Sequence, residues 1–295
     1  MIIKSIELQN FRNYEDLNIS FDEGTNIFYG DNAQGKTNIL EAAYLSGTTK
    51  SHKCSKDKEM IRFGEQEAHI RTVVVKKEKE YQIDMHLKHN RSKGIAINKV
   101  PIKKASELFG IVNVIFFSPE DLNIIKNGPA ERRRFVDLEL CQLNRLYVYN
   151  LAQYNKTVIQ RNSLLKQIGT EKKGEDLLFV FDEELARCGG RIIDYRLKYL
   201  DDLSNAAPKI YSEISNGREI MNISYINSLK ETGSNNVEWS EILYKYLSEN
   251  HEKDIIRQAT SFGPHKDDLE IFLDEMNVRN YGSQGQQRSC ALSLK

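Results

Sequence analysis

The N-terminal stretch alternates apolar and polar positions. Ile2 to Leu8 (IIKSIEL) does so, Leu17 to Phe21 does so again after a turn at Arg12-Asn13, and Thr25 to Tyr29 (TNIFY) follows Gly24. A period of two marks half-buried strands, so three short strands are predicted. From Asn38 the pattern becomes helical (NILEAAYL). Arg71 to Val75, Tyr81 to Leu87 and Ile95 to Val100 then predict an antiparallel meander with polar turns at Lys77-Glu78 and Asn90 to Gly94. Ile111 to Phe117 (IVNVIFF) is a continuous apolar run, fit for a central strand.

After Pro129 the texture changes. Phe135, Leu138, Leu143, Leu146, Leu151, Tyr154 and Val158 recur at three-, four- and five-residue steps, Leu165 follows two turns later, and there is no proline from Ala130 to Ala207. One long helix is predicted, reaching on the order of 50 Å at about 1.5 Å per residue. Breaks near Gly169 and Gly174 precede a second helical stretch, Asp176 to about Ile214, and the two read as an antiparallel hairpin inserted into an α/β domain. A strand (Glu219 to Ile226), a polar loop, a helix from Trp239 to Glu249 and a strand pair around Leu269 to Leu273 follow. The expected divisions are 1–118, 119–215 for the helical arm, and 216–295.

Composition narrows the class. With 40% hydrophobic and 28% charged residues the chain is globular, and no run approaches the roughly 18 apolar residues of a membrane span. The opening MIIKSIELQNF reads as a strand rather than a secretion signal, so a cytoplasmic location and no membrane partner are expected. Cys54, Cys141, Cys188 and Cys290 are scattered without a C-x-x-C pair, and His86 and His89 fall on opposite faces of a predicted strand, so neither zinc nor a disulfide framework is expected. Formal net charge is zero, yet residues 48 to 104 hold 15 Lys/Arg against 7 Asp/Glu. Such asymmetry suits either a polyanion-facing surface or a solvated face with lysines guarding exposed strands.

The sharpest signal is Gly30-Asp31-Asn32-Ala33-Gln34-Gly35-Lys36-Thr37, which matches G-x-x-x-x-G-K-[ST] in full. A predicted strand runs into it and a predicted helix runs out, the setting in which backbone N–H groups and a helix N-terminus converge on phosphate. Lys36 would reach the β- and γ-phosphates, and the Thr37 hydroxyl would hold Mg²⁺. The GTPase motif N-K-x-D is absent, since Asn98-Lys99 runs on into Val100-Pro101, so ATP is favoured. A metabolic P-loop kinase is the reading from a different class, and the antiparallel meander and helical insertion argue against it.

The segments LQNFRNYEDLNISF, GDNAQGKTN, FFSPEDLNIIKNGPAERRRFVDLEL, LAQYNKTVIQRNSLLK, TSFGPHKDDLEIFL and YGSQGQQRS together resemble the RecF family, bacterial DNA repair and replication ATPases related to SMC and ABC-type heads. The resemblance implies an α/β P-loop ATPase head with a mixed sheet and an antiparallel meander, plus an inserted helical domain. It implies an ATP-dependent homodimer that binds single-stranded and gapped or duplex DNA and helps load RecA with RecO and RecR; another SMC/ABC-like repair head is the alternative within the superfamily. In that superfamily the serine-glycine-glutamine run is the signature motif that caps a nucleotide held by the P-loop of a second subunit. Ser283, Gly285, Gln286 and Arg288 are therefore expected to act in trans, at the start of a helix read as Gln286 to Leu294.

The family continues with a strand bearing the Walker B carboxylates. No catalytic carboxylate of that kind is found in residues 1 to 295, and weak or no ATP hydrolysis is expected of this stretch, against a weak DNA-stimulated ATPase for the full-length protein. Glu120 and Asp121 stand where related heads place a loop that senses Mg²⁺ and water, so Glu120 is the one catalytic candidate; SPEDL reads equally well as a helix N-cap. Arg132, Arg133 and Arg134 are candidate DNA-phosphate contacts or partners of Glu131, Asp137 and Glu139 on neighbouring turns. Arg12 is expected near the nucleotide from its place in related heads, whereas His265, Lys266, Asp267 and Asp268 resemble a family motif without an assigned role.

Overall fold

The computed structural model describes residues 1–54, 56–229 and 237–295, and the chain divides into two units, Met1–Phe116 and Phe117–Lys295. The part of the expected polar loop that spans 230–236 lies outside the described residues. No helix among the described residues is long and apolar enough to cross a membrane.

The first unit is a six-stranded antiparallel sheet covered by one helix. β1 (Ile2–Phe11), β2 (Tyr14–Ser20), β3 (Glu67–Lys76), β4 (Lys79–Lys88), β5 (Arg91–Ile97) and β6 (Val100–Pro101) lie in the order β2-β1-β3-β4-β5-β6. Alternation sends Ile6, Leu8, Ile70, Val74, Ile83, Met85, Leu87 and Ile95 to one face, where they meet Ile39, Ala42 and Leu45 of α1 (Lys36–Thr48). Each such side chain stabilises the fold by about 1.5–3 kcal/mol on burial. A polar pair crosses this core without loss, since the Ser46 hydroxyl meets that of Thr72 at 2.7 Å.

The Lys77-Glu78 turn is where the pattern placed it, with both residues at positive φ (48° and 63°). The following turn comes earlier than expected, at His89-Asn90, and β5 begins at Arg91. Two predicted strands differ more. Residues 25–29 and 111–117 belong to no strand, and Ile27, Tyr29 and Ile115 are exposed. An apolar run becomes a strand only when a neighbouring strand pairs along it, and among the described residues neither run is part of a strand. Val114 packs against Gly47 of α1 instead, so closely that a Cβ there would stand 2.6 Å away. Parallel pairing in the described residues is confined to one bridge, Phe109 with Val112.

The second unit holds the helices that follow α1. α2 (Leu122–Lys126) comes first, and α3 (Pro129–Leu143) and α4 (Arg145–Glu171) replace the single helix expected after Pro129. Asn144 makes the break: it adopts an extended backbone and its side chain accepts the amides of Leu146 (2.8 Å) and Tyr147 (3.3 Å). This is a helix N-cap in mid-pattern. At about 1.5 Å per residue the 27-residue α4 is therefore about 40 Å long. It returns through Gly174 (φ 90°) into the 38-residue α5 (Leu178–Ser215). Gly169 does not interrupt α4.

α6 (Trp239–Ser248) lies against α5 at Gly189-Gly190, where Cβ atoms would approach Leu243 to 2.5 Å and the Ser240 backbone to 2.5 Å. α7 (His251–Arg257) follows, a helix the pattern did not announce. A three-stranded antiparallel sheet of β7 (Met221–Ile226), β8 (Asp268–Leu273) and β9 (Met276–Asn277) leads through α8 (Val278–Tyr281) into α9 (Gln284–Leu294).

Candidate nucleotide-binding site

The loop ahead of α1 begins and ends with glycines at positive φ, Gly30 at 138° and Gly35 at 96°, and Ala33 between them is also left-handed at 66°. That backbone turns sharply into α1, whose first amides have no acceptor within the helix and carry the positive end of its dipole. Lys36 Nζ donates to the carbonyls of Gly30 and Asp31, each at 2.6 Å, so the ammonium lies over the loop. Thr37 is exposed one residue further on. Backbone amides at a helix start and an ammonium are the kinds of group that suit a polyanion such as a triphosphate.

The turn between β1 and β2 buttresses the cradle. Asn13 Nδ2 and the Tyr14 hydroxyl both donate to the Gln34 carbonyl, at 3.2 and 3.3 Å, while Asn13 Oδ1 accepts from Asn38 of α1 at 2.8 Å. Neither Asn13 nor Tyr14 was singled out from the sequence, although both stand beside Arg12 in the same turn.

Arg12 itself, at φ 56°, forks onto Glu41 of α1 (2.9 and 2.6 Å) and reaches the Glu59 carbonyl at 2.7 Å. Glu41 is fully buried and also accepts the Ser51 hydroxyl. Burial pushes the Glu41 carboxyl up, but the bonds from Arg12 and Ser51 and the Arg12 charge outweigh it and hold the group below its usual range. The observed partners of Arg12 are thus those that anchor α1.

In the second unit Ser283 caps α9. Its Oγ accepts the Gln286 amide at 3.3 Å, and Gln286 Oε1 accepts the Ser283 amide at 2.7 Å, a reciprocal box that fixes the helix start. Gln286 Nε2 donates onward to Glu219 at 2.5 Å. Ser283, Gly285 and Arg288 are exposed at this helix N-terminus.

A family model described as an AAA domain matches residues 5–287. The DNA replication and repair protein RecF of Agathobacter rectalis is 60% identical over all 295 residues, which cover 79% of that protein. The RecF protein of Lachnoclostridium phytofermentans is 52% identical with the same coverage. The chain belongs to the RecF family. Among solved structures, the recombination mediator protein RecF with ATP, of the RecFOR pathway, is 41% identical with a TM-score of 0.93, over 99% of this chain and 79% of that one. An Smc head bound to a ScpA winged-helix domain, 16% identical with a TM-score of 0.52, shares the fold.

The remaining candidates separate by their surroundings. Asp121 takes part in a capping box with Ser118, whose amide it accepts at 2.7 Å, and Glu120 lies in the same first turn. Arg132 is buried, forks onto Asp268 at 2.7 and 2.9 Å, and donates to the Asn127 carbonyl at 2.7 Å. Arg133 donates to the Asp267 carbonyl at 2.7 Å. Only Arg134 is largely exposed, with Glu131 at 3.9 Å.

Residues 265–268 form the hub on which Arg132 and Arg133 converge. Tyr154 donates to His265 Nδ1 at 2.7 Å, Tyr225 to Asp267, and Arg196 to the Pro264 carbonyl at 2.7 Å. Burial pushes the His265 imidazole down to about 4 and the Asp267 carboxyl up. No group of three or more metal-ligating side chains occurs among the described residues.

Proposed function

We propose that this protein is an ATP-dependent DNA-binding protein of recombinational and replication-gap repair, which dimerises on ATP and acts with RecO and RecR to place RecA on DNA. The observation that supports it best is the cradle of residues 30–37, with Lys36 held over it, in a chain 60% identical to a RecF protein. Gly30, Asp31, Asn32, Ala33, Gln34, Gly35, Lys36 and Thr37 hold the triphosphate of ATP. Thr37 would supply a protein oxygen for Mg²⁺.

Ser283, Gly285 and Arg288 of a second chain cap the same nucleotide. Support comes from their exposure at a helix N-terminus that favours anions. Gln286 acts there by fixing Ser283, and Arg12 by anchoring α1. The γ-phosphate is the group both chains share, so its loss releases the dimer. DNA contact by the arm falls to Arg134, the exposed member of its cluster, together with the basic excess of residues 48 to 104.

Size-exclusion chromatography with light scattering tests the nucleotide part. ATP should drive dimerisation and Lys36→Ala should abolish it; a nucleotide-indifferent monomer would reject the reading. For DNA, log affinity should fall steeply with log salt, and a flat line removes the electrostatic account.

A further inference from the structure

The Gln34 carbonyl accepts two side-chain donors from one hairpin turn, Asn13 Nδ2 at 3.2 Å and the Tyr14 hydroxyl at 3.3 Å. A trans peptide is planar, so its C=O and N–H point in opposite directions. Fixing the Gln34 carbonyl toward the turn therefore aims the Gly35 amide away from it, into the cradle. This peptide needs fixing. Gly35 carries no Cβ and tolerates either sign of φ, and Ala33 just before is already left-handed, so rotation of the intervening peptides meets little steric resistance.

The turn that supplies the donors is itself held on three sides. Asn13 Oδ1 accepts from Asn38 of α1 at 2.8 Å, and the Asn38 amide donates to the Gly35 carbonyl at 2.7 Å, closing a circuit through loop, helix and turn. The Arg12 amide donates to the Met60 carbonyl and the Arg62 amide to the Asn10 carbonyl, both at 2.8 Å. A Cβ at Gly35 would stand 2.6 Å from Asn13 Oδ1 and 2.8 Å from the Tyr14 hydroxyl, so the glycine is required for this approach as well as for its φ of 96°.

We propose that Asn13 and Tyr14 are positioning residues for the phosphate loop, which touch no phosphate themselves and set the direction of the Gly35 amide through the Gln34 carbonyl. The proposal rests on the reading of residues 30–37 as an ATP site.

The test is calorimetric titration of ATP into the protein carrying Tyr14→Phe, Asn13→Ala or both, with Lys36→Ala as control and thermal melts without nucleotide alongside. Each single change should weaken ATP by about 3- to 10-fold, the scale of one hydrogen bond, and the pair by more than either. Tyr14→Phe removes only the donor to Gln34, so its melting temperature should stay within about 2 °C of the parent, the range of a surface change. A role confined to stability would instead move the melt and leave ATP affinity alone. Should the parent bind ATP, Lys36→Ala fail to, and Tyr14→Phe bind like the parent, the positioning role is overturned while the ATP site stands. Should the parent bind no ATP, the underlying reading falls.

Discussion

Arg132 closes a two-pronged ion pair on Asp268, 136 residues further along the chain, at 2.7 and 2.9 Å and with the arginine buried. α3 is thereby fastened to the first residue of β8. Removing one member of a buried pair leaves the other uncompensated, so Arg132→Ala should cost about 3–5 kcal/mol. Arg134→Ala, two residues away and solvated, should change stability by less than about 0.5 kcal/mol while weakening DNA binding. Urea unfolding separates the two; equal midpoints would contradict the assignment.

A run of three arginines carries no mark of which one is buried. Gly30 to Thr37 was legible because the loop is a local feature: both glycines, Lys36 and Thr37 lie within eight consecutive positions. The start of α9 was legible for the same reason. Arg132, Asp268, Tyr154 and His265 meet through topology, which local pattern does not encode. Asn144 did carry a local signal, a capping residue between two five-residue steps in the apolar pattern, but the periodicity on either side masked it. TNIFY and IVNVIFF show the converse, since apolar character makes a strand possible and only a paired neighbour makes it one.

Gly263 sits at φ 122°, and a Cβ there would stand 2.2 Å from the Tyr154 hydroxyl. Gly263→Ala thus combines a strained backbone with an overlap, for an expected loss of about 2–5 kcal/mol. Adding Tyr154→Phe removes the nearest overlapping atom and should recover part of that loss. A double-mutant cycle measures the coupling. Strict additivity would show that the overlap is not what destabilises the single variant.

The His265 imidazole is buried between Tyr154 and the Thr260 carbonyl, with Lys266 and Arg133 nearby, and titrates at about 4 rather than 6.5. Because the unfolded chain binds the proton more readily, this residue's contribution is complete above pH 6.5 and fades as pH falls toward 4. The shift corresponds to about 3 kcal/mol. His265→Gln should flatten the dependence of the urea midpoint on pH between 7 and 4.5. Parallel profiles for the two proteins would assign the acid sensitivity elsewhere.

Glu41 behaves oppositely in sign of charge but alike in direction. Its carboxyl is held below its usual range, so its contribution is present above about pH 4.5 and is lost as pH falls further. Arg12→Ala leaves this fully buried carboxylate with Ser51 alone and should cost about 3–5 kcal/mol. Arg12→Ala combined with Glu41→Gln should regain part of it, because no buried charge remains unpaired. A double variant as unstable as the single one at neutral pH would show that the charge of Glu41 is not the cause.

The capping box at Ser283 gives the last prediction, because it separates a structural from a nucleotide role. Ser283→Ala removes one cap bond and should cost about 1 kcal/mol of stability. Its effect on ATP-driven dimerisation should be far larger on the proposed reading, in which the hydroxyl and the neighbouring amides hold a γ-phosphate carried by the other chain. A chain carrying Lys36→Ala and one carrying Ser283→Ala should each fail to dimerise alone. Mixed, they assemble one heterodimer interface in which an intact Lys36 faces an intact Ser283, while the second interface carries both defects. ATP should therefore restore a measurable fraction of dimer in the mixture. If the mixture stays monomeric while the parent dimerises, the two motifs do not act across chains.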